Sequence, residues 1–152
     1  LEEFHFRVWK DFTFTNQFNI SLVEFINLST LEIDSSFLNG IQIKADRLRK
    51  FTVFCNGTFD YNFSDFPYLE ELSLEYISSE SLFSIFLRNS FEMKRLCKIY
   101  ARLNVIIEDD FDCPPGPVNS SVLKIVIENR NCRRVKLNES FLVRFPNLNM
   151  VC

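Results

Sequence analysis

A short apolar spacing that returns along the chain constrains its fold more than any other feature. Residues 1–6 (LEEFHF) carry large apolar side chains at the first, fourth and sixth places, and the same form recurs at 28–33 (LSTLEI), 48–53 (LRKFTV), 69–74 (LEELSL) and 122–127 (VLKIVI). The first four copies start 27, 20 and 21 residues apart, and a weaker copy at 100–105 (YARLNV) occupies the gap before the last. Two apolar residues separated by one polar residue make a short strand with one face inward, and the apolar residue three places earlier packs beneath the same layer. Such a unit cannot bury its apolar edge alone. Stacked neighbours therefore place one strand each in a parallel sheet, with the connecting segments lining the other side.

These residues resemble the leucine-rich-repeat family, whose unit is L-x-x-L-x-L-x-x-N/C-x-L. In the third copy Asn56 falls at the ninth place, and the FPYL at 66–69 and FPNL at 145–148 resemble the stretch that leads into a repeat. The last full unit, with Val122, Ile125, Ile127, Val135, Leu137, Phe141 and then FPNL, follows the order of Toll-like receptor ectodomain repeats. Departures are Trp9, Ser36, Ile77 and Arg130 at the ninth place of other copies, and residues 77–121 fit the unit poorly. The resemblance implies an α/β leucine-rich-repeat solenoid: a curved parallel sheet, one strand per repeat, with a mixed helical and irregular convex side. Residues 1–152 are expected to form one such segment. Neither end carries a polar cap, so the chain is expected to be a stretch of a longer array.

Local signals fill in the connections. Ser79 followed by apolar residues at helical spacing through Arg88 predicts a capped helix, continued after a break from Phe91 to Ile99. The run 109–117 (DDFDCPPGP) blocks both ladder and helix through its prolines and reads as a loop. Eighteen phenylalanines against one Trp and four Tyr supply a core filler without polar handles.

Composition excludes several functions. A formal charge of −3 with a pI near 5.2 provides no basic field for nucleic acid. The longest apolar runs are a few residues, too short for a membrane span. Three glycines, none closer than 17 residues to the next, cannot build a phosphate-binding loop. A catalytic triad needs a base, and the single histidine, His5, sits at an exposed strand place. Adjacent carboxylates such as Glu2-Glu3, Glu70-Glu71 and Asp109-Asp110 do not converge on one substrate. No enzyme signature, cofactor or metal is expected, since the five cysteines form no C-x-x-C pair.

Cysteines and sequons speak to compartment. Cys113 and Cys132 are the candidate disulfide pair among Cys55, Cys97, Cys113, Cys132 and Cys152; equally, Cys55, Cys97 and Cys132 read as small buried apolar residues. Six N-x-S/T sequons occur, at Asn19, Asn27, Asn56, Asn62, Asn119 and Asn138. With 14 asparagines and 19 serines or threonines, chance would place about two. The expectation is a glycosylated extracellular or cell-surface ectodomain.

The surface remains as the candidate site. Exposed strand places align from copy to copy on the concave side: Glu2, Glu3, His5, Arg7; Ser29, Thr30, Glu32, Asp34; Arg49, Lys50, Thr52, Phe54; Glu70, Glu71, Ser73, Glu75. This stripe reads as acidic with one basic rung, and Glu32, Arg49, Lys50, Glu71 and Glu75 are the candidate partner-binding residues. The resemblance implies non-catalytic recognition of a protein ligand or co-receptor, with no nucleic acid. The alternative is a cytoplasmic adaptor similar to the substrate-binding repeats of F-box ubiquitin-ligase subunits.

Overall fold

The computed structural model describes residues 3–6, 22–38, 42–55, 61, 63–105, 112–129 and 138–151. In chain order the elements are β1 (Glu3–Phe6), β2 (Leu22–Glu24), β3 (Thr30–Asp34), α1 (Ser35–Leu38), β4 (Gln42–Lys44) and β5 (Lys50–Phe54). A 3-10 turn (Phe63–Asp65) leads into β6 (Glu71–Ile77), followed by α2 (Glu80–Ser90), β7 (Lys98–Leu103), β8 (Lys124–Asn129), α3 (Ser140–Arg144) and β9 (Asn149–Val151). Seven strands form one sheet in the order β1-β3-β5-β6-β7-β8-β9, and each pairing is parallel. β2 and β4 pair separately, also in parallel. The architecture is α/β, built on a parallel sheet whose neighbours follow chain order.

The apolar spacing explains this order. Leu31, Phe51, Leu72, Ile99 and Ile125 stand opposite one another across consecutive strands, and so do Ile33, Val53, Leu74, Ala101 and Ile127. A third column, Leu28, Leu48, Leu69, Leu96, Val122 and Leu148, lies just ahead of the strands, and every member of all three is buried. The turns repeat as well. The carbonyls of Ser29, Arg49, Glu70 and Cys97 each accept two N–H bonds from the start of the following strand.

The register corrects one sequence expectation. The copy between β6 and β8 is 96–101 (LCKIYA), not 100–105, because Ile99 pairs with Leu72 and Ala101 with Leu74. Ala101 at the sixth place, too small to read as a core residue, hides the true frame. The stretch from Phe91 is likewise no second helix; it turns and enters β7 at Lys98. By contrast, α2 starts where its cap predicts, with the Leu82 N–H donating to Ser79 Oγ at 3.2 Å. Leu82, Phe83, Phe86 and Leu87 then face the sheet. Residues 112–123 contain neither helix nor strand, as the proline run requires.

Phenylalanine does the filling between sheet and connections. Phe51 projects into Tyr61, Phe63 and Phe66 with ring centroids 6.5, 5.5 and 5.3 Å away, and Phe63 continues to Phe86 at 5.0 Å. Farther along the sheet Phe145 contacts Phe91 at 5.4 Å and Phe141 at 6.4 Å. Tyr61, the polar member, is satisfied: its hydroxyl oxygen accepts the Ile43 N–H at 3.0 Å.

Candidate functional site

Side chains between the buried columns emerge on the other face of the sheet, in register. One lane runs Thr30, Lys50, Glu71, Lys98, Lys124 and Asn149 across six strands; a second runs Glu32, Thr52, Ser73, Tyr100 and Val126. A depression of about 270 Å³ lies between Glu32, Lys50, Ser73, Lys98 and Tyr100. Within the first lane Glu71 Oε2 stands 3.5 Å from Lys50 Nζ and 3.9 Å from Lys98 Nζ, and Arg49 pairs with Glu70 at 3.3 Å. These side chains are 37–65% exposed, so each pair contributes about 0–1 kcal/mol.

At the strand ends the geometry tightens around Arg102. A bulge sets Glu75 and Tyr76 against the single residue Arg102, with Tyr76 in the left-handed region at φ 67°. Glu75 thereby reaches Arg102 Nη1 at 2.7 Å, while Nε and Nη2 donate to Glu128 Oε2 at 3.2 and 3.1 Å, and Nη2 also donates to the Tyr100 hydroxyl at 2.8 Å. Beside this knot the rings of Phe54 and Tyr76 lie 6.3 Å apart. Burial, reinforced by a hydrogen bond to Glu128, pushes the Tyr100 hydroxyl up to about 12. The bonds from Tyr100 and Arg102 hold the Glu128 carboxyl below its ordinary value. The result is a preorganised surface of charge and aromatic edge.

Of the expected binding residues, Glu32, Lys50, Glu71 and Glu75 share one side of the sheet but not one environment, and Arg49 lies in the turn beside Glu70. Glu32 and Lys50 sit in the lanes, Glu71 bridges two lysines, and Glu75 is locked to Arg102. The stripe is not acidic with one basic rung. Lys98 adds a cation that the mistaken frame at 100–105 concealed, along with Tyr100, and Arg102, Lys124 and Glu128 extend the charged face past β6. Asp34 leaves the surface set too, being 4% exposed and accepting the Ser36 N–H at 2.9 Å. His5 is placed on β1 opposite Glu32.

The sequons divide. Asn27 is exposed, with its amide oxygen accepting from Arg47 at 3.2 Å. Asn119 is a correction: it is 4% exposed, and its Nδ2 donates both hydrogens inward, to the Ser90 and Met93 carbonyls at 2.9 and 3.1 Å. No glycan fits on a nitrogen so enclosed. The Asn119 and Asn138 amide oxygens accept the N–H two residues on, from Ser121 at 2.9 Å and Ser140 at 2.6 Å. N-x-S at these places is a local turn device, which accounts for part of the excess. Asn19, Asn56 and Asn62 lie outside the described residues.

The expected Cys113–Cys132 bridge falls on Cys132, which lies outside the described residues; Cys113 is a free, buried thiol. Cys55 and Cys97 are free as well. Burial pushes both Cys55 and Cys113 from the ordinary 9.0 up to about 12. Thiolate is the reactive form. At pH 8, iodoacetamide is expected to modify half-buried Cys97 while sparing Cys55 and Cys113 until denaturant is added, as peptide mass spectrometry will show. The sign for stability is that of an acid whose ionisation is suppressed by folding. Unfolded thiols ionise first, so stability falls as pH rises from about 9 towards about 12.

Among the described residues no group of three or more His, Cys, Asp and Glu side chains is arranged to hold a metal ion, and no helix is long and apolar enough to cross a membrane. No family model, curated protein or solved structure matches the chain.

Proposed function

We propose that this chain is a non-catalytic protein-recognition module of the leucine-rich-repeat kind, a solenoid whose exposed sheet face docks a protein ligand or co-receptor. The carrying observation is the pair of side-chain lanes running in register across consecutive parallel strands. Their charges are held by one another rather than by the core. Such a face presents fixed, alternating charge beside the Phe54–Tyr76 edge, so it selects a partner by register and electrostatic fit.

Two settings suit that role. Exposed Asn27 supports a glycosylated receptor or secreted protein. The free thiols Cys55, Cys97 and Cys113 favour the other setting, an intracellular adaptor similar to F-box substrate-binding repeats, because oxidising compartments pair cysteines. The inward use of Asn119 points the same way.

A photoreactive residue placed at Thr52 or Ser73 in cells is expected to crosslink a discrete protein, and one at Ile85 on the outer side of α2 is not. Reversing Lys50 and Lys98 to Glu should abolish the Thr52 adduct. Because both side chains make only exposed pairs, that variant should keep its stability within about 1 kcal/mol. Adducts from Ile85 alone would move the partner site to the helical side.

A further inference from the structure

The turns that precede the strands stack as regularly as the strands do, and they build a second surface. Asn27, Arg47, Tyr68 and Arg95 each stand one residue before a buried leucine of consecutive strands, and with Arg49 and Glu70 they line an open cleft of about 770 Å³. Neighbouring turns touch: Arg47 Nη1 donates to Asn27 Oδ1 at 3.2 Å, and the Arg95 guanidinium lies 4.5 Å over the Tyr68 ring. Among the described residues Arg47 and Arg95 have no carboxylate within ion-pair distance; the third arginine, Arg49, has Glu70 at 3.3 Å in a pair with 65% and 41% of the side chains exposed. Asp46 also lines the cleft, so its formal charge is three cations against two anions.

We infer that this cleft is a docking site for an acidic segment of a partner protein, with carboxylates taken by Arg47 and Arg95. A guanidinium stacked on an aromatic ring keeps its N–H donors at the ring edge, preoriented for two-point contact with a carboxylate. Arg47 spends one donor on a neutral amide and keeps its charge. The Arg49–Glu70 pair, being exposed, yields to an incoming carboxylate at little cost. Tyr68, 44% exposed, offers an apolar ledge beside the charges for a flanking side chain. A glycan on Asn27 would stand at the mouth of this cleft, so the site belongs to the unglycosylated protein. The inference rests on the protein-recognition reading in taking a protein segment as ligand, and on its intracellular setting in leaving Asn27 without a glycan; it concerns the turn edge, not the sheet face.

The test uses a fluorescein-labelled dodecapeptide in which Asp and Glu flank one Phe, read by fluorescence anisotropy. Its Asn/Gln isostere, and that isostere carrying one phosphoserine, are the comparators. The acidic peptide is expected to bind and to weaken with salt, and the isostere is not. Arg47→Gln with Arg95→Gln should weaken binding about tenfold, whereas Lys98→Gln with Lys124→Gln, on the sheet face, should change it by less than about twofold. Glu70→Gln frees Arg49 and should tighten binding about threefold, a gain that misfolding cannot mimic. Equal weakening by the two double variants would overturn the site in favour of a diffuse basic field. Binding of the phosphoserine peptide alone would replace the acidic segment by a phosphate, and an unchanged Kd in Glu70→Gln would remove Arg49. None of these outcomes depends on the Thr52 crosslink, so the cleft and the sheet face can fail separately.

Discussion

Phe51→Ala is expected to lower the unfolding free energy by about 3–5 kcal/mol, the range for emptying a large aromatic site in a core that relaxes only in part. Phe51 is 1% exposed and sits where three other rings meet, Tyr61, Phe63 and Phe66. Removing it takes away its own buried area together with edge-to-face contacts worth about 0.5–1.5 kcal/mol each. The ring also stands in the column between Leu31 and Leu72, so the void opens between neighbouring strands on both sides. A domain of this size is stable by only about 5–15 kcal/mol. Chemical denaturation should therefore show a much lower midpoint with a similar slope. A loss under about 1 kcal/mol would mean that the cluster is not packed around Phe51.

The second large effect belongs to Asn119. Asn119→Ala should cost about 2–4 kcal/mol, because truncation deletes three hydrogen bonds at once, each worth roughly 1 kcal/mol, and strands the Ser121 N–H. The Ser90 carbonyl keeps only the Met93 N–H, the Met93 carbonyl loses one of three donors, and the Ser121 N–H loses its acceptor. These groups join the turn after α2 to the segment entering β8, so the loss falls on the tie between two consecutive connections. Asn119→Gln should be destabilised as well, since the longer side chain moves the amide out of register. If the protein is passed through a eukaryotic secretory pathway, the mass removed by a glycan-cleaving amidase should be the same for wild type and Asn119→Gln. A smaller mass shift in the variant would show that Asn119 carries sugar and that the buried amide does not form.

Much of the fold was legible before any coordinates. Five of the copies and the cap at Ser79 sit where their spacing places them, because apolar periodicity and N-cap chemistry are local properties read over six to ten residues. The copy at 96–101 was misread for an equally local reason: Ala101 satisfies its column through close packing, which a pattern of large residues does not register. The error carried into the site, shifting Lys98, Tyr100 and Arg102 out of the expected lanes. Only the pairing of Ile99 with Leu72 restores them.

Pairing partners lie beyond any sequence window. That Glu71 is shared by Lys50 and Lys98, that a bulge delivers Glu75 to Arg102, and that Arg47 and Arg95 line one cleft all depend on residues some 20 to 50 positions apart being stacked. The sequons make the same point. N-x-S is visible as a motif, but whether its asparagine faces solvent, like Asn27, or spends its amide on two carbonyls, like Asn119, depends on where the neighbouring connection runs. Sequence alone determined the inward columns, and through them a parallel sheet in chain order, because alternation of apolar and polar residues is a one-dimensional property. The tertiary structure decided the register of β7, the charge partners on the exposed face, the state of Cys113 and the cleft at the turns, because each requires the distance between chain segments that only stacking sets.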